Sequence, residues 1–205
     1  MCGIVAYVGN KDVGPVLIEG LKRLEYRGYD SSGVCICGKD GFFVRKAAGR
    51  ISVLESILDE EKSIPASHVG MAHTRWATHG APTEINAHPH LDDKKRIAIV
   101  HNGIIENYSA IRQFLTAKGH TFVSDTDTES LAGLIGHFYE GDLAKAVQLA
   151  LHEIRGTYGL AVMSASEPDV LVVARRMTFT PSGSGRPVFS FHHLPKSTQQ
   201  TRPLF

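Results

Sequence analysis

Cys2 stands directly after the initiator methionine, where a small side chain permits removal of Met1. The mature chain would then begin with a thiol and a free α-amine on one residue. The amine's reference pKa of about 7.7 to 8.0 lies close to the thiol's, about 8.5, so at neutral pH the amine can take the thiol proton. One residue would supply nucleophile and base; the competing reading makes Cys2 a small apolar residue that starts a strand. A second concentration of reactive types is residues 73–80, HTRWATHG, which place Arg75, Trp76, Thr78 and His79 in a polar loop. Arg75 can hold a carboxylate through paired charge-assisted hydrogen bonds, with solvated surface charge as the plainer alternative. Asn102 and Gly103 set a carboxamide beside an unhindered backbone N–H. Each such donor stabilises an oxyanion by about 2.7 to 4 kcal/mol, although the same dipeptide also makes an ordinary turn. Asp127, in SDTDTE, either caps a helix or anchors a substrate ammonium group. Cys35 with Cys37 and His88 with His90 are each spaced two apart, but neither a CxxC nor an HExxH pattern is present, and no metal site is assigned.

The elements that must position these residues can be read from period and punctuation. Residues 2–8 form an apolar run ended by Gly9 and Asn10, which predicts a buried strand. A helix from Pro15 carries Leu17, Ile18, Leu21 and Leu24 on one face and stops before Gly28. Residues 33–37 and 42–46 flank Asp40-Gly41 as a hairpin, Leu54, Ile57 and Leu58 mark a short helix, and strands are expected at 69–72 and 96–101. The segment between those two strands, 74–95, reads as the loop that holds most of the reactive types. Three helices follow, built on Tyr108, Ile111 and Leu115, on Leu131, Leu134, Ile135 and Phe138, and on Val147, Ala150, Leu151 and Ile154. The second of these opens with Thr126 and Glu129 at capping-box spacing. Strands at 158–164 and 170–174, joined by a turn at Pro168, complete an order of strands, helices and strands. That order favours a layered α+β fold over alternating βαβ units.

Composition narrows the classes of function. The 205 residues suffice for one large domain, and 22 basic against 21 acidic residues leave no excess charge for a phosphate-rich partner, so no nucleic-acid role is assigned. No apolar run approaches the roughly 20 residues of a membrane helix, and MCGIVAYVGNKD lacks the cationic start of a signal peptide. Three cysteines do not make a disulfide framework, and a free thiol at position 2 suits the cytosol, where the chain is placed. Residues 177–205 contain no Asp or Glu, hold four of the nine prolines and show no defensible period. They are read as a disordered or frame-shifted tail foreign to residues 1–176.

Taken together, MCGI at 1–4, RLEYRGYDSSG at 23–33, HTRWATHG at 73–80, NAHPH at 86–90, VHNGIIENY at 100–108 and SDTDTE at 124–129 closely resemble the glutaminase domain of the isomerizing glutamine-fructose-6-phosphate aminotransferases. The resemblance runs in order from residue 1 to about 175. It implies an N-terminal nucleophile hydrolase fold, an α/β/β/α sandwich of two antiparallel sheets between helical layers, here expected to lack its last strands and the isomerase domain. It also implies hydrolysis of L-glutamine by Cys2, an oxyanion hole from Asn102 and Gly103, and a clamp of Arg75 and Asp127 on the substrate's α-carboxylate and α-amine. Thr78, His79 and His88 would line the pocket, Trp76 would sit on the loop that closes it, and Arg27 would support the nucleophile from the end of the first helix. No cofactor is implied. Fructose 6-phosphate would be a partner only of the full-length enzyme, whose dimer would form through the isomerase domain. Two alternatives stay open: an N-terminal-cysteine amidotransferase with another acceptor, of the amidophosphoribosyltransferase type, and an inert truncated fragment.

Overall fold

Alternation of side chains along nine strands builds the fold. The computed structural model describes residues 2–77, 80–176 and the backbone of 190–193. One sheet takes β1 (Gly3–Val8), β2 (Ser31–Gly38), β3 (Gly41–Ala48) and β4 (Val69–Arg75) in the order β1-β4-β2-β3. The other takes β5 (His90–Leu91), β6 (Ile97–Ile105), β7 (Gly156–Ser164), β8 (Glu167–Arg176) and β9 (Ser190–His193) in chain order, and every pairing in both sheets is antiparallel. Successive residues of a strand point to opposite faces, so each strand serves two cores. Val34 and Ile36 of β2 face outward against α1 (Val13–Leu24) and α2 (Ile51–Glu60), whereas Cys35 and Cys37 face the second sheet. In β6, Ile97 and Ile99 face α4 (Asp127–Phe138) and its neighbours, while Ala98 and Val100 face the first sheet. With α3 (Tyr108–Ala117) and α5 (Leu143–Glu153) beside α4, the layers run α/β/β/α around three apolar cores.

The helices form where the 3.6 period places apolar residues. Leu17 and Leu21 of α1 are fully buried, and burial of each such side chain contributes about 1.5 to 3 kcal/mol. α1 starts at Val13, so Pro15 lies in its first turn, where a missing N–H costs nothing. A short 3-10 turn, Glu25–Arg27, follows α1 and ends at Gly28, whose φ of +72° favours glycine. At the start of α4, Thr126 accepts a hydrogen bond from Glu129 N–H at 3.2 Å and is the cap. The Glu129 carboxylate turns to the N–H groups of Val123 and Ser124 instead of completing a reciprocal box.

The structure corrects the sequence reading in four places. β4 runs on to Arg75, which is buried in the strand and not in a loop, and the segment 74–95 also holds β5. Asn102 and Gly103 do not turn the chain: β6 runs on to Ile105, with Asn102 opposite Gly159 and Gly103 opposite Tyr158. A glycine at φ +134° lets the ladder continue where a Cβ would stand 2.1 Å from the Thr157 carbonyl oxygen. The β7–β8 turn is Ala165–Ser166, and Pro168 lies inside β8, near its start. Within the segment read as a tail, Ser190–His193 form β9, paired from His193 opposite Val172 to Ser190 opposite Arg175. Four residues are too few to show a period, and the ladder of β8 supplies the pairing that local sequence does not announce. The rest of that segment lies outside the described residues, as do Thr78 and His79.

Candidate active site

The same pleat that makes the apolar inter-sheet core also gathers the site. Ile4, Ala6 and Val8 of β1 point between the sheets, and two residues earlier in that row stands Cys2. Val69 and Met71 of β4 share that face, and continuing by twos reaches His73 and Arg75. Ala98 and Val100 of β6 lead in the same way to Asn102. β1 and β4 pair with Gly3 opposite Thr74, so Cys2 lies next to the Arg75–Trp76 end of β4. Residues from three strands widely separated in sequence therefore meet at one end of the sandwich.

Around the sulfur the contacts are specific. Trp76 N–H donates to Cys2 Sγ at 3.1 Å, and Asn102 Nδ2 donates to the Cys2 carbonyl oxygen at 3.4 Å. Asn102 Oδ1 accepts from His73 Nε2 at 2.7 Å. Asp30, just before β2, pins the strand end that carries Trp76. Its N–H donates to the Arg75 carbonyl at 2.8 Å, and its carboxylate accepts from Ala77 N–H. Trp76 is 56% exposed and leans on Gly28, where an added Cβ would come within 3.2 Å of its ring. Arg27 donates to the Tyr26 hydroxyl at 3.2 Å from the 3-10 turn beside it.

Arg75 closes β4 of the first sheet, and Asp127 opens α4 beside the second. The buried Arg75 guanidinium donates to the carbonyls of Gly80 and Ala81 at 3.2 and 3.3 Å. The buried Asp127 carboxylate, in the first turn of α4, accepts from Ile105 N–H at 2.8 Å. Arg112 of α3 donates to the carbonyls of Ser124 and Thr126 at 2.9 and 3.0 Å and so fixes the loop leading to Asp127. Since Thr126 is the helix cap, the carboxylate of Asp127 is not used in that role.

Beneath these groups lies a set of buried imidazoles. His88 stacks on His73 with ring centroids 4.3 Å apart, and His88 Nδ1 accepts from His101 N–H at 3.4 Å. His101 Nδ1 donates to Thr128 Oγ1 at 2.9 Å, and that hydroxyl reaches Asp127 Oδ1 at 3.4 Å. His90 Nε2 lies 3.1 Å from Thr126 Oγ1. Burial pushes His73 down to about 3, against the opposing hydrogen bond to Asn102. Burial likewise pushes His88, His90 and His101 down, with neighbouring positive groups adding to the effect on His88 and His90. All four rings are therefore neutral at pH 7.

The structure thus sets Cys2 against Trp76 and Asn102, with Arg75 and Gly103 their chain neighbours, Asp127 linked through Thr128 to His101, His88 stacked on His73, and Arg27 in the 3-10 turn next to Gly28. Asp30, His73, His101 and Arg112 were missed as individuals. Their only signal was position within EYRGYDSS, HTRWATHG, VHNG and the helix preceding SDTDTE, since each acts through a neighbour that sequence does not reveal.

The family model described as a glutamine amidotransferase domain matches residues 73–182. The chain belongs to that glutamine amidotransferase domain family. It is 46% identical over 206 aligned residues to a glutamine--fructose-6-phosphate aminotransferase [isomerizing] of Clostridium tetani, covering 100% of this chain and 34% of that one. It is 50% identical over 185 residues to the protein of the same name from Thermotoga maritima, covering 90% and 30%. The chain thus spans about a third of the length of these curated relatives. Among solved structures, the amidotransferase domain resembles the glutamine phosphoribosylpyrophosphate amidotransferase of B. subtilis, with a TM-score of 0.69 and 24% identity, over 85% of this chain and 37% of that one. It also resembles an allosteric regulatory enzyme of purine biosynthesis, with a TM-score of 0.72 and 25% identity over the same shares. This amidotransferase domain therefore has the N-terminal nucleophile hydrolase architecture.

Proposed function

We propose that the chain hydrolyses L-glutamine to glutamate and ammonia, with Cys2 as the nucleophile. The observation that carries the reading is the Asn102 carboxamide, followed by the φ-positive Gly103, against the backbone carbonyl of Cys2, whose sulfur is held by the Trp76 N–H. With Met1 removed, the α-amine takes the thiol proton, the thiolate attacks the side-chain amide carbon, and Asn102 Nδ2 with Gly103 N–H stabilise the oxyanion. The α-ammonium returns its proton to the departing nitrogen, and water cleaves the glutamyl thioester. Arg75 holds the substrate α-carboxylate, Asp127 its α-ammonium, and Trp76 holds the sulfur through its N–H, with His88 backing the site from beneath and Arg27 supporting it from the end of the first helix.

The finer part of the proposal is the fate of the ammonia. Identities of 46 to 50% to proteins named for fructose 6-phosphate, against 24% to the phosphoribosylpyrophosphate amidotransferase, favour the former acceptor. In a whole protein of that kind this domain would supply ammonia for glucosamine 6-phosphate. The test is glutamate release from L-glutamine by protein whose N-terminal residue has been read by mass spectrometry. A glutamyl adduct on the Cys2 peptide is expected. A chain that keeps Met1 and still deamidates glutamine defeats the role given to the α-amine.

A further inference from the structure

A carboxamide is flat and nearly symmetric in shape, so half a turn about its last bond exchanges oxygen and NH2 with little steric consequence. Only one of the two orientations offers a donor to an oxyanion. What sets the orientation of Asn102 is the partner of its Oδ1, and that partner is His73 Nε2 at 2.7 Å. A carbonyl oxygen only accepts, so the imidazole proton must sit on Nε2. The other ring nitrogen, Nδ1, is buried and makes no well-formed hydrogen bond, with the His101 backbone close to the ring. With Oδ1 engaged, Nδ2 turns toward Cys2 and donates to its carbonyl oxygen.

The ring itself has little freedom. His73 is fully buried, and its face is covered by His88 at 4.3 Å. His88 in turn is keyed by the N–H of His101, the residue just before Asn102. The imidazole and the carboxamide are thus tied to each other directly and again through the backbone of β6. Burial keeps His73 neutral, so its single N–H stays committed to one acceptor.

We propose that His73 is a positioning residue for glutamine hydrolysis: its Nε2–H locks the Asn102 carboxamide with Nδ2 turned toward Cys2. The inference rests on the reading of Asn102 as an oxyanion donor. It assigns no contact between His73 and substrate.

The direct test is the tautomer in the unsubstituted, 15N-labelled chain. Long-range proton–nitrogen correlation should find His73 neutral with its proton on Nε2 at pH 7; a proton on Nδ1 or a charged ring overturns the proposal. Kinetics supply the second test. His73→Phe keeps a ring but no donor, and kcat should fall roughly 10- to 100-fold while KM for glutamine stays within about threefold. His73→Gln restores a donor and should lose less than about fivefold. In an Asn102→Ala background, His73→Phe should cost nothing more, because its target is gone. A further loss of the same size there, or an unchanged kcat in folded His73→Phe protein, overturns the proposal. If His73→Phe does not fold, the tautomer decides. An Asn102→Ala chain with full activity, or an unsubstituted chain that releases no glutamate, sinks the function proposed above and is distinguishable from either failure.

Discussion

The space between the two sheets has two halves, and the same strands build both. In one half, Ala6, Met71, Ala98, Val100, Ala161 and Met163 make a dry apolar layer with Cys35 and Cys37. In the other, Cys2, His73, Arg75 and Asn102 continue the same inward-facing rows with polar side chains. A step of two to four residues along β1, β4 or β6 crosses from one environment to the other. The pleat determines that a side chain faces inward; its place along the strand determines whether it packs the layers together or joins the candidate site. Stability and chemistry are therefore separable along a single strand.

The largest effect should come from the polar half. Cys2→Ala should reduce glutamate release by at least about 10³-fold while leaving the melting temperature within a few degrees, since the residue lies at the end of the row. Glutamate release is measured by coupled assay and melting by circular dichroism. A cooperative transition in the unsubstituted chain would also dispose of the inert-fragment reading. Met71→Ala should do the reverse. Its side chain is fully buried in the apolar half, and truncation should cost about 2 to 5 kcal/mol in urea unfolding. At a temperature well below the new melting point, kcat should stay within about threefold. A proportionate loss of activity would show that the two halves are one unit.

How much of this was legible beforehand depends on the length scale of the signal. The period of α1, with Leu17 and Leu21, and the Asp40-Gly41 turn between β2 and β3 are local signals, and they placed these elements correctly. The continuation of β6 through Asn102 and Gly103 was not legible, because an Asn-Gly pair reads as a turn until the Thr157 carbonyl is seen against Gly103. β9 depends wholly on β8 for its pairing. Among site residues, Cys2, Arg75 and Asp127 carried recognisable chemistry in their own side chains. His73 and Arg112 did not, because their importance lies in the Asn102 carboxamide and the Ser124–Thr126 carbonyls they hold.

A smaller effect sharpens the polar half from within. Arg75→Lys keeps the charge and loses the fork that can meet a carboxylate with two bonds while spanning the Gly80 and Ala81 carbonyls. KM for glutamine should rise about tenfold, with kcat within about threefold, as initial rates will show. Equal falls in kcat and kcat/KM would instead place Arg75 in transition-state stabilisation.

The last contrast is with acid. His73 titrates near 6.5 in the unfolded chain but only near about 3 when folded, because burial disfavours its charge. Below pH 6.5 the unfolded chain therefore binds a proton that the folded one refuses, and unfolding becomes easier as pH falls. This contribution to stability is complete above about pH 6.5. It is lost toward pH 3 at up to about 1.4 kcal/mol per pH unit. His88 and His90 are shifted in the same direction and add to the slope. In the apolar half, burial raises the Cys35 and Cys37 thiols, which leaves those groups uncharged throughout the acid range. Urea unfolding at pH 7, 6 and 5 should accordingly show stability falling with acid, and His73→Gln should make the slope shallower by up to about 1.4 kcal/mol per unit below pH 6.5. Identical slopes for the two proteins would mean that His73 takes up its proton in the folded state. Its Nε2–H would then no longer follow from neutrality, and the polar half would lose the buried character that separates its imidazoles from surface histidines.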